Sequence, residues 1–196
     1  MPDFIWPDFY QRTKNHPHWP LLEKATQLLG HQGHALDLGC GAGRDTRYLL
    51  SQGWHVTAVD SDPTAIALLA ELPQEHLQVV QSSFEDFVYE HEAYDLVSSQ
   101  FSLPFNPRAS FTNLFTRIKQ SIKPGGIFTG QFFGIHDEWN TPEHNMTFLT
   151  REEVNELLSD MKVIDLTEED KIGPTASGTL KHWHVFHVIA QIRMKL

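Results

Sequence analysis

The sequence predicts an α/β fold: a doubly wound, mostly parallel sheet with helices on both faces and an antiparallel end. Three observations carry that expectation. Strand-like apolar runs alternate with helical runs from about residue 35 to 135. A glycine-rich turn, "GCGAG" at 39–43, directly follows the first apolar run. Two late strand-like runs have no helix between them, which makes the sheet mixed.

The elements follow in order. Residues 1–33 hold aromatic and Pro-rich pieces and read as one or two helices packed over the sheet's edge. Residues 35–38 form a short buried strand, and 44–52 a helix ending before Gly53. "WHVTAVD" (54–60) is strand-like, and 63–72 is helical with Pro63 at its first position. A third strand covers 76–82, followed by a short helix around 84–90. The fourth strand is "YDLVSSQ" (94–100). Phe111, Leu114, Phe115 and Ile118 recur at helical spacing within 108–121. "KPGG" (123–126) turns the chain into a fifth strand, "IFTGQFF". Thr150 with Glu153 three residues on predicts a capping box and a helix over 150–159. Two strands near 161–167 and 181–190 close the chain, joined by about a dozen residues rich in Gly, Pro, Thr and Ser.

With 196 residues the chain can bury one sizeable core. The net charge of −10 offers no electrostatic footprint for a phosphate backbone, so nucleic acid is not an expected partner. The only cysteine, Cys40, forms no internal disulfide. The opening "MPDFIWPDFYQRTK" lacks a continuous apolar segment, and no run approaches the ~20 apolar residues of a membrane helix. A cytoplasmic protein is expected, with no membrane partner.

The glycine turn narrows the ligand. Dinucleotide sites use G-x-G-x-x-G, in which the third glycine lets the helix pack closely. Here the spacing is G-x-G-x-G, the third dinucleotide position is Arg44, and an acid, Asp37, precedes the turn. That disfavours a pyrophosphate and suits a ligand carrying positive charge. S-adenosylmethionine, with an ammonium, a sulfonium and no phosphate, is such a ligand. A second acid, Asp60, ends the second strand 21 residues after Gly39, near the interval at which an acid meets ribose hydroxyls.

The ordered blocks "LDLGCGAG", "VTAVDSDPTAI", "VVQSSFEDF", "YDLVSSQFSL" and "IKPGGIF" resemble the class I S-adenosylmethionine-dependent methyltransferases across residues 35–133. The resemblance implies a Rossmann-like sheet of seven strands whose last strand is antiparallel. It implies a single domain, with 1–33 as helical cover, 34–135 as cofactor-binding core and 136–196 as acceptor side. It assigns Asp37 and the turn Gly39, Cys40, Gly41 and Gly43 to the methionine part, Asp60 to the ribose, and Ser61 and Asp62 to the adenine side. Many relatives carry an acid after the third strand. The matching position here is Ser83, so Phe84 is expected near the base and Glu85 as the polar contact. Gln100, after the fourth strand, is expected at the cofactor. "GQFFGIHDEW", "MTFLTREEV" and "KHWHVFHVIA" resemble a bacterial subgroup of tellurite-resistance-type enzymes, which points to a small-molecule acceptor, with soft sulfur, selenium or tellurium nucleophiles as one class.

Methyl transfer is an in-line displacement that needs positioning, and a base only for a protonated nucleophile. His182 is the candidate base, at the start of a last strand that begins beside the site; a hydrogen-bonded structural histidine is the ordinary alternative. Phe101, Asp137, Trp139 and His184 are expected in the acceptor pocket, with Tyr10 and Trp19 closing over the cofactor or packing at the edge. No metal site is expected: His182 and His184 face away from His187 on a strand, His16 and His18 lie in a Pro-rich loop, and no metal-ligand spacing accompanies them. Two rivals stand beside the enzyme: a non-catalytic S-adenosylmethionine-binding partner protein, and a nicotinamide oxidoreductase, weakened by Arg44.

Overall fold

A computed structural model describes residues 6–194. Helices α1 (Trp6–Thr13) and α2 (Pro20–Leu29) precede β1 (His34–Leu38), α3 (Arg44–Ser51), β2 (His55–Asp60), α4 (Pro63–Leu69), β3 (Leu77–Gln81) and β4 (Tyr94–Ser99). A 3-10 turn at Leu103–Phe105 leads to α5 (Arg108–Ser121), β5 (Ile122–Gly134), the two-residue β6 (Phe148–Leu149), α6 (Arg151–Leu157), β7 (Met161–Pro174) and β8 (Leu180–Ile192).

The strands form one sheet in the order β3-β2-β1-β4-β5-β8-β7, with β6 paired to the end of β5. β3, β2, β1, β4 and β5 are parallel, and β8 runs antiparallel to both β5 and β7. The expected mixed sheet is therefore present, with seven principal strands and β6 as a short addition. After β1 the chain builds outward through β2 and β3, then returns to place β4 on β1's other side. The crevice beyond the carboxyl ends of β1 and β4 is the topological switch point, where ligands bind in such sheets.

Each face buries its own core. On one, Phe111 and Phe115 of α5 meet Phe128, Phe132 and Phe186, with Phe115 centred 5.1 Å from Phe128 and 5.4 Å from Phe132. On the other, Leu22 and Ala25 of α2 pack with Ile127 and Ile189. Helix α2 thus covers the face of β5 and β8, where the sequence suggested the sheet's edge. Its apolar stripe, with Leu22 and Ala25 fully buried, packs there.

Other departures have local causes. No helix forms at 84–90. Ser83 Oγ accepts the Asp86 N–H (3.1 Å) and donates to Asp86 Oδ2 (2.7 Å), closing a single turn that does not propagate. Arg117 then takes the carbonyls of Glu85 (2.8 Å) and Phe87 (2.6 Å), which a helix would have used. Helix α4 stops at Leu69 because Pro73 disfavours helical backbone before it, and Gln74 Nε2 donates to the carbonyls of Leu69 (3.2 Å) and Leu72 (2.6 Å). "KPGG" lies inside β5 as a bulge: Tyr94 pairs with Ile122 but Leu96 with Ile127. The β7–β8 connection is only 175–179, because the polar stretch before it pairs as an exposed edge strand rather than looping.

Candidate active site

The glycine turn is pinned to the sheet by its own backbone. The N–H groups of Gly39 and Cys40 both donate to the Val59 carbonyl, at 2.8 and 3.1 Å. Gly39 and Gly43 have φ of +74° and +75°, a region that side chains disfavour. A Cβ on Gly39 would sit 2.3 Å from Ser102 Cβ, and one on Gly43 2.9 Å from Leu69 Cδ1. Ser102 cannot retreat, since its hydroxyl donates to the Leu38 carbonyl (2.7 Å) and meets Ser99 Oγ (2.7 Å). These contacts hold β1 and β4 at the switch point.

Three buried carboxylates surround the turn. Asp37, 2% exposed, accepts the Thr46 hydroxyl at 2.6 Å. Burial, then the charge of Asp45, raises its carboxyl to about 7. Asp45 accepts the Trp19 N–H (3.0 Å) and is also shifted upward by burial. Asp60 accepts the N–H of Gly41 (2.9 Å) and of Asp62 (3.0 Å), and the Tyr10 hydroxyl approaches at 3.4 Å. Burial raises Asp60 too. Among the described residues neither Asp37 nor Asp60 has a Lys or Arg partner at ion-pair distance. Buried carboxylates left without a counter-charge suit a ligand that brings its own cation. The donor set therefore fits S-adenosylmethionine.

Tyr10 of α1 lies over Gly41 and against Asp60; burial, with Asp60 next, pushes its phenol up, so it stays a neutral donor. Ser61 is exposed, and its carbonyl accepts from Gln81 Nε2 (3.3 Å). Asp62 caps α4 through the Thr64 N–H (2.7 Å). Ser83 is tied to Asp86, and Glu85 is exposed. Phe84 is buried, with its ring edge beside Gly39. Cys40 is buried in the turn, and burial raises its thiol well above the usual range. Gln100 donates to Ser98 Oγ (3.1 Å) and accepts from Gln131 Nε2 (2.9 Å).

Aromatic side chains after β4 and β5 and on β8 form a wall. Phe101 has φ of +54°, unusual for a bulky residue, and its N–H donates to Gln131 Oε1 at 2.8 Å. Its ring is centred 4.6 Å from Trp19 and 6.1 Å from both Trp183 and His187. Trp139 lies 6.0 Å from Phe133 and 5.3 Å from Trp183. Asp137 is buried, holds Lys181 in an ion pair, and accepts the N–H groups of Trp139 (3.0 Å) and His184 (3.2 Å).

β8 corrects the placement of the histidines. Phe186, Val188 and Ala190 pack on the α5 side, so His184 and His182, in step with them, also turn away from Phe101. His182 contacts Asp170, and His184 Nε2 lies 2.9 Å from Glu168 Oε1. The residues that face the wall are Lys181, Trp183 and His187. Their alternation with His182 and His184 was visible in the sequence, but which set faced the crevice was not. Gln131, inside β5, carried no sequence signal. Among the described residues the buried His187 Nε2 has no hydrogen bond within normal reach, the Glu169 carboxylate standing 3.9 Å away, and burial lowers its pKa.

With this geometry, residues 35–126 match the methyltransferase-domain family. This segment is a methyltransferase domain. The methyltransferase match ends at Gly126, so Phe101 lies inside it while Trp139, Trp183 and the rest of β8 lie outside. The chain is 29% identical over 144 residues to trans-aconitate 2-methyltransferase of Mycobacterium tuberculosis, covering 71% of this chain and 52% of that one. It is 30% identical over 93 residues to the probable S-adenosyl-L-methionine-dependent methyltransferase TehB of Haemophilus influenzae, covering 46% and 32%. The crystal structure of TehB superposes with a TM-score of 0.79 over 94% of this chain and 66% of that one, at 19% identity. A Burkholderia thailandensis 1,6-didemethyltoxoflavin-N1-methyltransferase, bound to its substrate and S-adenosylhomocysteine, superposes with a TM-score of 0.70 at 24% identity, over 89% and 77%. Both likenesses speak for the fold. The chain spans about half the length of the first curated relatives it matches. Among the described residues no helix is long and apolar enough to cross a membrane.

Proposed function

We propose that this chain works as one domain, an S-adenosylmethionine-dependent methyltransferase that acts on a small-molecule acceptor. The observation that carries this reading is the pair of buried carboxylates, Asp37 and Asp60, flanking a glycine turn at the switch point with no cation of their own. S-adenosylmethionine, when bound, supplies a methyl group on a positively charged sulfur. Asp37 and the turn from Gly39 to Gly43 hold the amino-acid end, and Asp60 receives the ribose hydroxyls. Ser61, Asp62, Phe84 and Gln100 line the remainder. Tyr10 sits on Asp60 in this structure and gives up that contact to the ribose.

The wall of Phe101, Trp139 and Trp183 orients the acceptor and excludes water. Alignment of that kind contributes about 7–11 kcal/mol to such reactions. The wall's buried cation, Lys181, is already neutralised by Asp137, which argues against a tricarboxylate such as the acceptor that the mycobacterial relative is named for. His182 faces away, so the reading favours a nucleophile that needs no base, such as a thiolate or a selenium or tellurium anion. A cytoplasmic setting agrees with a single cysteine buried in the turn.

Calorimetry with S-adenosylhomocysteine should give one equivalent of binding that is strongly weakened in Asp60→Ala. No heat at millimolar ligand sinks the proposal. Transfer of a labelled methyl group to thiols, selenide or tellurite separates an enzyme from a non-catalytic binder, which would bind without turnover.

A further inference from the structure

The side of the β7–β8 hairpin turned away from the aromatic wall carries a second group of chemistry-bearing side chains. Cross-strand pairing sets Asp170 opposite His184 and Ile172 opposite His182. The turn after β5 delivers His136 to the same place. His136 Nδ1 lies 2.8 Å from Asp170 Oδ2, and His182 Nε2 meets the other Asp170 oxygen. His184 Nε2 lies 2.9 Å from Glu168 Oε1, whose carboxylate also pairs with Arg151 at 3.0 Å. The rings of His136 and His184 are stacked with centres 4.8 Å apart. One donor atom from each of His136, Asp170 and His184 lies within 4.8 Å of the others.

We propose that His136, Asp170 and His184 form a site for a first-row transition-metal dication of the zinc class, with His182 and Glu168 as its supporting partners. Imidazole nitrogens with one carboxylate are the donor set such ions select, and magnesium or calcium would require more oxygen. Zinc bonds of about 2.0–2.1 Å put two donors on one tetrahedral ion about 3.3 Å apart. The contact between the two exposed ligands, His136 Nδ1 to Asp170 Oδ2 at 2.8 Å, is already near that separation. Closing the set from a separation of 4.8 Å needs a contraction of about 1.5 Å, within reach of two exposed side chains. The second oxygen of Asp170 is held by His182, the outer-shell support that ligating carboxylates normally have. Both nitrogens of His184 are engaged, Nδ1 by the His136 N–H (3.1 Å) and Nε2 by Glu168, so the ion exchanges one hydrogen bond for a coordinate bond.

The position gives the site a consequence. His136 adjoins Asp137, and His182 and His184 adjoin Trp183, so an ion here ties the β5 turn to β8 directly behind the aromatic wall. No single element contains the set. His136 is 48 residues from His184, and pairing within β8 alone leaves them unconnected.

The test uses the tag-free full chain, stripped with chelator and titrated with zinc chloride alone. The expected result is one equivalent bound and a rise in melting temperature. Asp170→Ala and His136→Gln should each weaken binding by at least about tenfold while circular dichroism stays unchanged. With cobalt in place of zinc, the wild type should show a visible d–d band that both variants lose. A second group of histidines, His34, His55 and His76, lies at the other end of the sheet, with ring centres 5.2 and 4.3 Å apart. It serves as the control. Zinc binding that survives in Asp170→Ala and His136→Gln, disappears in His55→Ala, or never saturates overturns the proposal.

Discussion

Lys181 and Asp137 form an ion pair with side chains only 2% and 0% exposed, and the Lys181 ammonium lies 3.7 Å from the ring centre of Trp139 and 3.9 Å from that of Trp183. The pair locks the turn after β5 to the start of β8, so it builds the aromatic wall. Burial lowers the Lys181 pKa, and Asp137 opposes that shift. Lys181→Met leaves a carboxylate buried without its counter-charge and should cost about 3–5 kcal/mol. For a chain of this length that lowers the melting temperature by roughly 6–20 °C. The double variant Asp137→Asn with Lys181→Met removes the buried charge but keeps an acceptor for the Trp139 and His184 N–H groups, and should recover part of the loss. A melting curve unmoved in the single variant would mean that the pair is not buried.

Asp37 gives the cofactor site a pH dependence. Its folded value of about 7 lies above the ~3.9 of an unfolded aspartate. The folded chain thus holds a proton between pH 4 and 7 that the unfolded chain does not, and Asp37's contribution to stability declines as pH rises through that window. A cationic ligand favours the ionised form and expels the proton. Affinity for S-adenosylmethionine should rise by up to about tenfold per pH unit below 7 and then level off. Calorimetry in buffers of different ionisation heat reads the released proton directly. Asp37→Asn should flatten the profile, and an equally steep profile in that variant contradicts the assignment.

Two glycines of the turn should differ in cost. Both sit at positive φ, where a side chain costs roughly 1–2 kcal/mol. In Gly43→Ala the new methyl meets Leu69 Cδ1, the movable end of a side chain. In Gly39→Ala it meets Ser102 Cβ, beside a hydroxyl bonded to the Leu38 carbonyl and Ser99. Gly39→Ala should therefore be the more destabilising in urea titrations. The reverse order would show that the Ser102 contacts yield.

Phe101 combines a strained backbone with a place in the wall proposed to hold the acceptor. Phe101→Gly and Phe101→Ala both remove the ring, but only glycine relieves the positive φ, so it should be more stable than alanine by about 1 kcal/mol. Both should depress turnover of the acceptor while S-adenosylhomocysteine affinity stays within a few-fold. Equal loss of both would move Phe101 to the cofactor side.

The core of the fold was legible because its signals are local. Alternating apolar runs place β1 to β5, helical spacing places α5 over Arg108–Ser121, and Thr150 with Glu153 forms the capping box at α6. The errors occurred where a distant group decides. Arg117, thirty residues away, holds the carbonyls that a helix at 84–90 would need. Pairing with β8 turns the polar stretch before Pro174 into strand.

By itself the sequence determined the glycine turn, its two acids and the parallel sheet that presents them, because spacing along a chain sets backbone conformation within a few residues. Tertiary structure alone decided that Lys181 and Trp183, not His182, stand on the side of the aromatic wall, and that His136 joins His184. A strand's period of two divides its side chains into two sets, and only the packing of Phe186 against α5 chooses which set each face receives.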